Sequence, residues 1–414
     1  MAELQTKNEV KTSTFLEKMK NIGPAAVIAA AFVGPGTITT ASVAGIKFGY
    51  ALLWPFLLSA IMGMILLEKC ARIGIIGKTT LAEAIREYFS NNPALKLFII
   101  VLTIGAIFIG NSAFVIGNVL GAALGAQVFI PLPTSVLSVI IGVIAILILM
   151  VGSYKLVEKF LITLVMIMTV SFVITAIAIK PDLVAILKGF LIPTIPAGSL
   201  PTIIGLIGTT ISGYNFFLYS SASKERWSGA ENLGNSRFDL FVSIPLGVLI
   251  SAVVMITAAG MYGMNINLTY GATELAKQLE PVLGSAAKYI FGLGLFAASI
   301  SSAVPTALAT GYVVSGLLGW KVDMKDSKFK AVEVVFICVA TFFAAIGKKP
   351  LAWILFAQGT NGLLLPISAI MVLIIANDKR LLGKYVPKQW ENLVSGGLVA
   401  VTIYLGLRSL FSIF

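Results

Sequence analysis

The sequence contains no histidine, only two cysteines and few charged residues. Without histidine the chain lacks the commonest transition-metal ligand and the usual proton carrier near neutral pH. Cys70 falls near the end of an apolar run and Cys338 inside another, so a structural disulfide is not expected. Charged residues make up 12% of the chain, against about 25% in a soluble domain. So few charges exclude a surface that faces water throughout.

Apolar residues fill the chain instead. Hydrophobic residues make up 58% of it and the mean hydropathy is +0.97, and apolar runs of about 20 residues recur, each long enough to cross a hydrocarbon core as a helix. They are not the short alternating segments of an outer-membrane barrel. The sequence therefore predicts an all-α polytopic membrane protein with about eleven spans, at residues 23–47, 50–71, 95–126, 131–152, 156–179, 199–222, 237–263, 284–319, 331–347, 349–377 and 391–413.

The loops predict the orientation. With the N-terminus inside, 22 of the 30 Lys and Arg residues fall on cytoplasmic segments, as the positive-inside tendency favours. Residues 1–22 lack the apolar core of a signal peptide and are expected to form a cytoplasmic segment, with the C-terminus extracellular and the protein in a prokaryotic inner membrane. The basic residues form no single patch, so nucleic acid is not an expected partner. Residues 79–90 and 271–282 are expected to form short surface helices.

Two predicted spans carry interruptions. Span 1 contains Gly34-Pro35-Gly36, and span 6 contains Ser212-Gly213. Proline removes a backbone donor, and unpaired backbone groups persist at membrane depth only where they line a cavity or are buried in protein. Packing kinks are the alternative explanation. The offset of five spans favours an inverted five-plus-five repeat around a transport site, with repeats at 23–179 and 199–377 and an additional helix at 391–413.

Several stretches then resemble the Nramp family of divalent-metal transporters. GPGTITTASVAGIKFGYALLW is similar to the first Nramp span, which begins Asp-Pro-Gly-Asn, and ARIGIIGKTTLAEAIRE is similar to the loop after the second. SGYNFFLYSSASKER resembles the sixth-span signature, while the eighth and tenth spans resemble GLFAASISSAVPTALATGY and AQGTNGLLLPISAIMVLIIANDKRLLG. The resemblance implies a LeuT-type arrangement with spans 1 and 6 broken around a central site, working by alternating access as a secondary transporter.

The same resemblance shows departures at the metal ligands. The family's first-span Asp and Asn correspond to Gly34 and Thr37, and its sixth-span Ala and Met ligands correspond to Thr209 and Ser212. The sixth-span histidines and the third-span acidic positions linked to proton movement are replaced by neutral residues: Tyr214 and Tyr219, and Phe108, Val115 and Asn118. Of the possible metal contacts only Gln358 is kept, so the family's usual substrate does not follow from the resemblance.

The altered site favours an anion. Each half-helix that starts at a break carries a partial positive charge and unpaired N–H groups, and no carboxylate is predicted nearby to offset them. We expect a small anion or zwitterion, such as bicarbonate, a small carboxylate or an amino-acid-like solute, to bind there. The predicted substrate-binding residues are Gly34, Gly36, Thr37, Thr39, Thr40, Thr209, Thr210, Ser212, Gly213, Tyr214, Asn215 and Gln358. Lys47 is expected in an outer vestibule or as a snorkelling residue at the interface.

Three alternatives stay open for the function. Hydrated Mg²⁺ could bind through its waters, more readily than a dehydrated Mn²⁺ or Fe²⁺, which needs charge compensation. A transport-inactive sensor is the second. An intramembrane enzyme is the third, but Ser212 has no histidine or buried aspartate partner in the sequence, so no enzymatic activity and no metal centre are expected.

Coupling to a second ion is also considered. No carboxylate is predicted deep in a span, which argues against a proton relay. Carbonyls near Ala30 and Val33, with the hydroxyls of Ser301 and Ser302, resemble the sodium site of LeuT-type carriers, so Na⁺ is the candidate coupling ion. No cofactor is expected, and the expected partners are the transported ion or small molecule and the lipid bilayer.

Overall fold

The computed structural model describes residues 23–25, 28–29, 33–151, 154–264, 272–347 and 349–411. Within these ranges the chain is helical and contains no strand. In chain order the helices are α1 (Pro35–Phe48), α2 (Trp54–Ile75), α3 (Leu81–Tyr88), α4 (Pro93–Gln127), α5 (Thr134–Val151), α6 (Tyr154–Ala178), α7 (Leu183–Leu191), α8 (Leu200–Thr210), α9 (Gly213–Arg226), α10 (Leu233–Ala259), α11 (Ala272–Ala276), α12 (Glu280–Leu283), α13 (Ala287–Leu318), α14 (Ser327–Ile346), α15 (Pro350–Ala376), α16 (Lys379–Leu382) and α17 (Gln389–Phe411).

Helices occupy all eleven predicted spans, and their described ends agree with the predicted ends to about four residues. Six continuous helical stretches of the described chain are long and apolar enough to cross a membrane, and a bent pair gives a seventh. Spans 1 and 6 are not among them because each is divided into shorter pieces. The predicted cytoplasmic segment 1–22 lies outside the described residues.

Both predicted interruptions are present. Helix α1 begins only at Pro35, after a turn at Val33 and an extended Gly34. In span 6, α8 ends at Thr210 and α9 begins at Gly213, and the two residues between them, Ile211 and Ser212, have extended backbone. Each break therefore creates a new helix N-terminus inside the protein.

One helix was not predicted. The segment after span 5 carried no predicted element, but it contains α7, which is bent by 118° from the end of α6. The Asp182 side chain accepts hydrogen bonds from the N–H groups of Val184 and Ala185 at 2.9 and 3.1 Å, which starts the helix. Nine residues are too few to span a bilayer, and the exposed Leu183 and Leu191 indicate a helix lying in the membrane interface.

The two predicted surface helices are confirmed. The first is α3, whose Thr80 and Glu83 form a capping box, and Glu83 also pairs with Lys224 of α9 at 3.0 Å. The second is the pair α11 and α12. The capping box follows from the Thr-x-x-Glu spacing.

The broken span 6 packs directly on span 10. A Cβ atom at Gly208 of α8 would overlap the backbone of Gly362 and the carbonyl of Gln358, both on α15. Small residues permit such close approach between membrane helices. This contact places α15 beside the break at Ile211.

Two carboxylates are buried near the ends of spans, and neither lies deep in a span. Asp239 in α10 is 1% exposed and Glu333 in α14 is 3% exposed. Asp239 accepts hydrogen bonds from the N–H groups of Gly23 and Ala25 at 3.0 and 2.9 Å, so it holds the start of span 1. Both residues lie within the first two turns of their helices, where the sequence suggests a helix end facing water.

Candidate functional site

The two breaks lie against each other. The hydroxyl oxygens of Thr37 on α1 and Thr209 on α8 are 2.7 Å apart and share a hydrogen bond. Gly36, one residue earlier, touches a third element, because a Cβ atom there would overlap the Gln358 carboxamide of α15. Spans 1, 6 and 10 therefore meet at one point. Four of the predicted site residues, Gly36, Thr37, Thr209 and Gln358, lie there.

Helix α15 contributes more to this point than predicted. Asn361 donates hydrogen bonds to the Ser212 hydroxyl and to the Gly208 carbonyl, the latter at 3.1 Å. It therefore holds the end of α8 where the helix stops. Asn361 was missed, although it stands three residues after Gln358 in AQGTNG, a spacing that places both residues on one helix face.

Three predicted donors use their hydrogen within their own span. Thr39 donates to the Pro35 carbonyl at 2.7 Å, Thr210 to the Leu206 carbonyl at 2.8 Å, and Ser212 to the Gly208 carbonyl at 2.9 Å. Hydroxyl groups in helices commonly satisfy the carbonyl one turn earlier. In this conformation these three hydroxyl groups can accept a hydrogen bond from a bound molecule but cannot donate one to it.

Other buried polar atoms of the predicted site have no hydrogen-bond partner among the described residues. They are the Thr40 hydroxyl, the Asn215 carboxamide oxygen and both polar atoms of the Gln358 carboxamide. Asn118 of α4 has the same property in both of its polar atoms. Each unpaired group costs about 1–3 kcal/mol when buried. Of these residues, Thr40 and Gln358 both lie beside Gly205 of α8, so a polar occupant that pairs with their side chains would be stabilised there.

The electrostatics of the breaks are those of two uncapped helix ends. No side chain caps the N-terminus of α1 at Gly34 or that of α9 at Ser212, and neither helix has an acidic residue in its first turn. Each end carries about half a positive charge. The described residues contain no cluster of three or more His, Cys, Asp or Glu side chains that would hold a metal ion.

The site is closed to solvent on both sides. Thr37, Thr209, Tyr214 and Gln358 are each at most 2% exposed. Towards the predicted cytoplasm, the Phe114 and Tyr214 rings pack 5.7 Å apart. Leu218 packs against this pair and lines a cavity of about 540 Å³, together with Gly23, Pro24, Ile28, Ala222, Glu225 and Arg226.

Closure on the predicted outer side involves the loop helices. Gln278, which lies just beyond α11, is 1% exposed and donates a hydrogen bond to the Ser42 hydroxyl of α1 at 2.8 Å. It also donates to the Leu275 carbonyl at 2.6 Å. The segment that contains Gln278 therefore covers the second half of span 1.

The remaining predicted residues lie outside this centre. Lys47 is exposed in the last turn of α1, where a cation is favourable for the helix dipole. Of the four possible sodium-site residues, Ala30 lies outside the described residues. Val33 is buried at the break, Ser302 is fully buried, and Ser301 donates to the Ala298 carbonyl at 3.1 Å.

Comparison with known proteins identifies the family. The model of the Nramp family, described as natural resistance-associated macrophage protein-like, matches residues 25–412. The chain belongs to the Nramp family. A divalent metal cation transporter MntH of Klebsiella pneumoniae (strain 342) is 27% identical over 411 residues, which cover 98% of this chain and 97% of the relative. An MntH of Staphylococcus saprophyticus is also 27% identical, over 95% of this chain and 92% of the relative.

Solved structures show the same architecture. The manganese transporter of Eremococcus coleocola, in complex with an aromatic bis-isothiourea substituted compound, superposes with a TM-score of 0.79 at 19% identity, covering 97% of this chain and 88% of that one. Mhp1, a nucleobase-cation-symport-1 family transporter, superposes in a closed conformation with a TM-score of 0.57 at 14% identity, covering 94% of this chain and 91% of that one. The predicted LeuT-type fold with broken spans 1 and 6 is confirmed. This Nramp-family chain is an integral membrane transporter.

Proposed function

We propose that this Nramp-family transporter carries a small anion or zwitterion by alternating access. The observation that supports the proposal is the charge of the central site. Its described side chains are neutral, and the helix N-termini created at the two breaks, at Gly34 and Ser212, have no capping side chain. Such ends bind carboxylate and other anionic groups in soluble proteins and in transporters with broken helices.

A dehydrated divalent ion fits this site poorly. Removing a bare ion from water costs far more than neutral hydroxyls and carbonyls return. The nearest predicted ligands, Thr37, Thr209 and Gln358, carry no charge, and the described chain gathers no group of His, Cys, Asp or Glu side chains for such an ion. The proposed cargo therefore differs from the divalent metal cations named for the relatives.

Hydrated Mg²⁺ is the second candidate. It keeps most of its waters and prefers oxygen ligands. The unpaired oxygens of Asn215 and Gln358 and the hydroxyls of Thr39 and Ser212, whose hydrogens are already donated, can accept hydrogen bonds from such waters. The names of the relatives also favour a divalent cation.

Uptake into proteoliposomes distinguishes these candidates. The panel contains bicarbonate, acetate, glycine, Mg²⁺ and Mn²⁺. We expect saturable uptake of an anion or zwitterion, reduced by Thr37→Val and Thr209→Val because each removes the hydrogen bond that joins the two breaks. Thr360→Val is the matched control, since that hydroxyl bonds to the Phe356 carbonyl of its own helix and is not buried in the site. Saturable Mn²⁺ uptake that Thr37→Val abolishes would overturn the proposal, and binding without flux of any solute would identify a sensor.

Sodium is the proposed coupling ion. The proposal is supported by the position of Val33 at the break, where its carbonyl is outside a regular helix, and by the buried Ser302 of span 8. Replacing Na⁺ by choline in the same liposomes should abolish concentrative uptake. Uptake that is unchanged in choline would refute sodium coupling without affecting the proposed cargo.

A further inference from the structure

Another cavity lies at the charged end of span 2. It has a volume of about 350 Å³ and is formed where α2, α10 and α17 meet at the charged end of α2. Its walls combine apolar and charged side chains, namely Met64, Ile65, Glu68, Lys69, Arg72, Arg237, Leu240, Phe241, Trp390, Glu391 and Val394.

Most of its charged groups are paired. Arg72 contacts Glu68 at 2.8 Å and Glu391 at 3.0 Å, and Arg237 contacts Glu68 at 2.7 Å. These contacts join the charged end of α2 to α10 and α17.

Lys69 is the exception. It is only 1% exposed and lines the cavity, yet it forms no ion pair and donates no hydrogen bond to any described residue. A buried ammonium group without a partner is strongly unfavourable. The side chain is therefore placed to bind an anionic group that enters the cavity.

The charge and the shape of the cavity specify that group. Three cations and two carboxylates line it, so it carries one net positive charge, which a single phosphodiester neutralises. Phe241 and Trp390 at its rim are 70% and 63% exposed. Exposed aromatic residues beside a charged helix end are typical of the membrane interface. The cavity thus opens towards lipid and not only towards water.

We propose that this cavity binds an anionic phospholipid. The phosphodiester accepts a hydrogen bond from the Lys69 ammonium group, and its acyl chains lie along Phe241 and Val394 at the lipid-facing rim. Basic pockets between membrane helices recognise anionic headgroups in this way. The bound lipid would complete the ion-pair cluster that joins spans 2, 7 and 11. This inference does not depend on the proposed cargo.

The test measures binding to the purified full-length protein in detergent. Phosphatidylglycerol, phosphatidylcholine and sn-glycerol 3-phosphate are added in turn, and binding is followed by native mass spectrometry and by the melting temperature. We expect phosphatidylglycerol to bind and raise the melting temperature. Phosphatidylcholine and the headgroup analogue without acyl chains should do neither.

Variants locate the site. Lys69→Met keeps most of the length of the side chain and removes its charge, and it should weaken phosphatidylglycerol binding by about tenfold or more, the value of a hydrogen bond to a charged group. Lys379→Met removes an exposed lysine elsewhere and should bind as the wild type does. If Lys69→Met fails to fold, Arg237→Gln, at a half-exposed position, should show the same selective loss.

Two results would overturn the proposal. In the first, Lys69→Met binds phosphatidylglycerol as tightly as the control Lys379→Met does. Arg237→Gln takes the place of Lys69→Met in this comparison if Lys69→Met does not fold. The other is binding of sn-glycerol 3-phosphate as tight as that of phosphatidylglycerol, since that would identify a soluble phosphate ligand.

Discussion

Placing a carboxylate at Gly34 tests the sign of charge that the central site accepts. Gly34 is the N-cap of α1, with φ −81° and ψ 174°, an extended conformation that any residue adopts. Asp and Asn are both favoured at an N-cap, because their side chains accept hydrogen bonds from the first turn. Gly34→Asp and Gly34→Asn therefore fit the same backbone and differ by one charge.

The expected effect is large. An anion held by the first-turn N–H groups of α1 would lie about 4 Å from the new carboxylate, where two unit charges repel by about 4 kcal/mol at an effective dielectric constant near 20. Unscreened, this is roughly a thousandfold in affinity. Rearrangement and water reduce it, so we expect Gly34→Asp to bind the anion at least about tenfold more weakly than Gly34→Asn. For a divalent cation the same carboxylate is attractive.

Isothermal titration and proteoliposome uptake measure this difference. Gly34→Asn should keep the wild-type cargo, while Gly34→Asp should lose it and gain affinity for Mn²⁺. Equal affinities of the two variants for the anion would refute the reasoning, because the cargo would then not lie at the N-terminus of α1. Tighter binding of the wild-type cargo by Gly34→Asp would show that the cargo is a cation.

Three further predictions concern packing, closure and pH. Gly208→Ala should lower the melting temperature by overlapping the span 10 backbone, since overpacking costs about 1–3 kcal/mol; Gly359→Ala, with no other atom within 4 Å, is the control, and equal losses would contradict the contact. Gln278→Ala should loosen the outer closure, so Ile46→Cys, one turn beyond Ser42 on α1 and in a background without the exposed native cysteine, should react several-fold faster with an impermeant thiol reagent; an unchanged rate would contradict the role of the hydrogen bond. Burial raises the pKa of Glu83, but hydrogen bonds from its capping-box threonine and the neighbouring lysine outweigh this and lower the pKa below its ordinary value of 4.5. The stability that this carboxylate contributes is present above pH 4.5 and is lost as the pH falls through the lower folded pKa, so the wild type should lose stability there more steeply than Glu83→Gln; parallel melting profiles would contradict this.

Much of the fold could be predicted because the bilayer imposes it. A spanning helix must be about 20 apolar residues long, so charged and Gly/Pro-rich joints mark its ends in the sequence. The breaks at Gly34 and Ser212 were visible for the same reason, since a proline or glycine in such a run leaves backbone groups unpaired. Helix α7 was not predicted because its apolar sequence is too short for a span. Its N-cap, Asp182, is a residue type that is equally common in turns.

The site was predicted at the level of helices and not of atoms. Sequence position could place Thr37 and Thr209 at the two breaks but could not show that their hydroxyls meet. Nor could it show that Thr39 and Thr210 donate to their own helices. That depends on the rotamer which each side chain adopts. Asn361 was detectable only by its helical spacing from Gln358.

The fold and the cargo are set by different parts of this sequence. The backbone breaks and the close contact at Gly208 build the architecture shared with the manganese transporter of Eremococcus coleocola. Each break also starts a new helix, and the N-terminus of that helix carries a partial positive charge whatever its side chains are, because the macrodipole arises from the backbone. Under the proposed function, the side chain at the first cap decides whether those ends hold an anion or hold a carboxylate that in turn holds a cation. With glycine at position 34 no carboxylate caps the first of these ends, so similarity of fold alone does not decide the cargo.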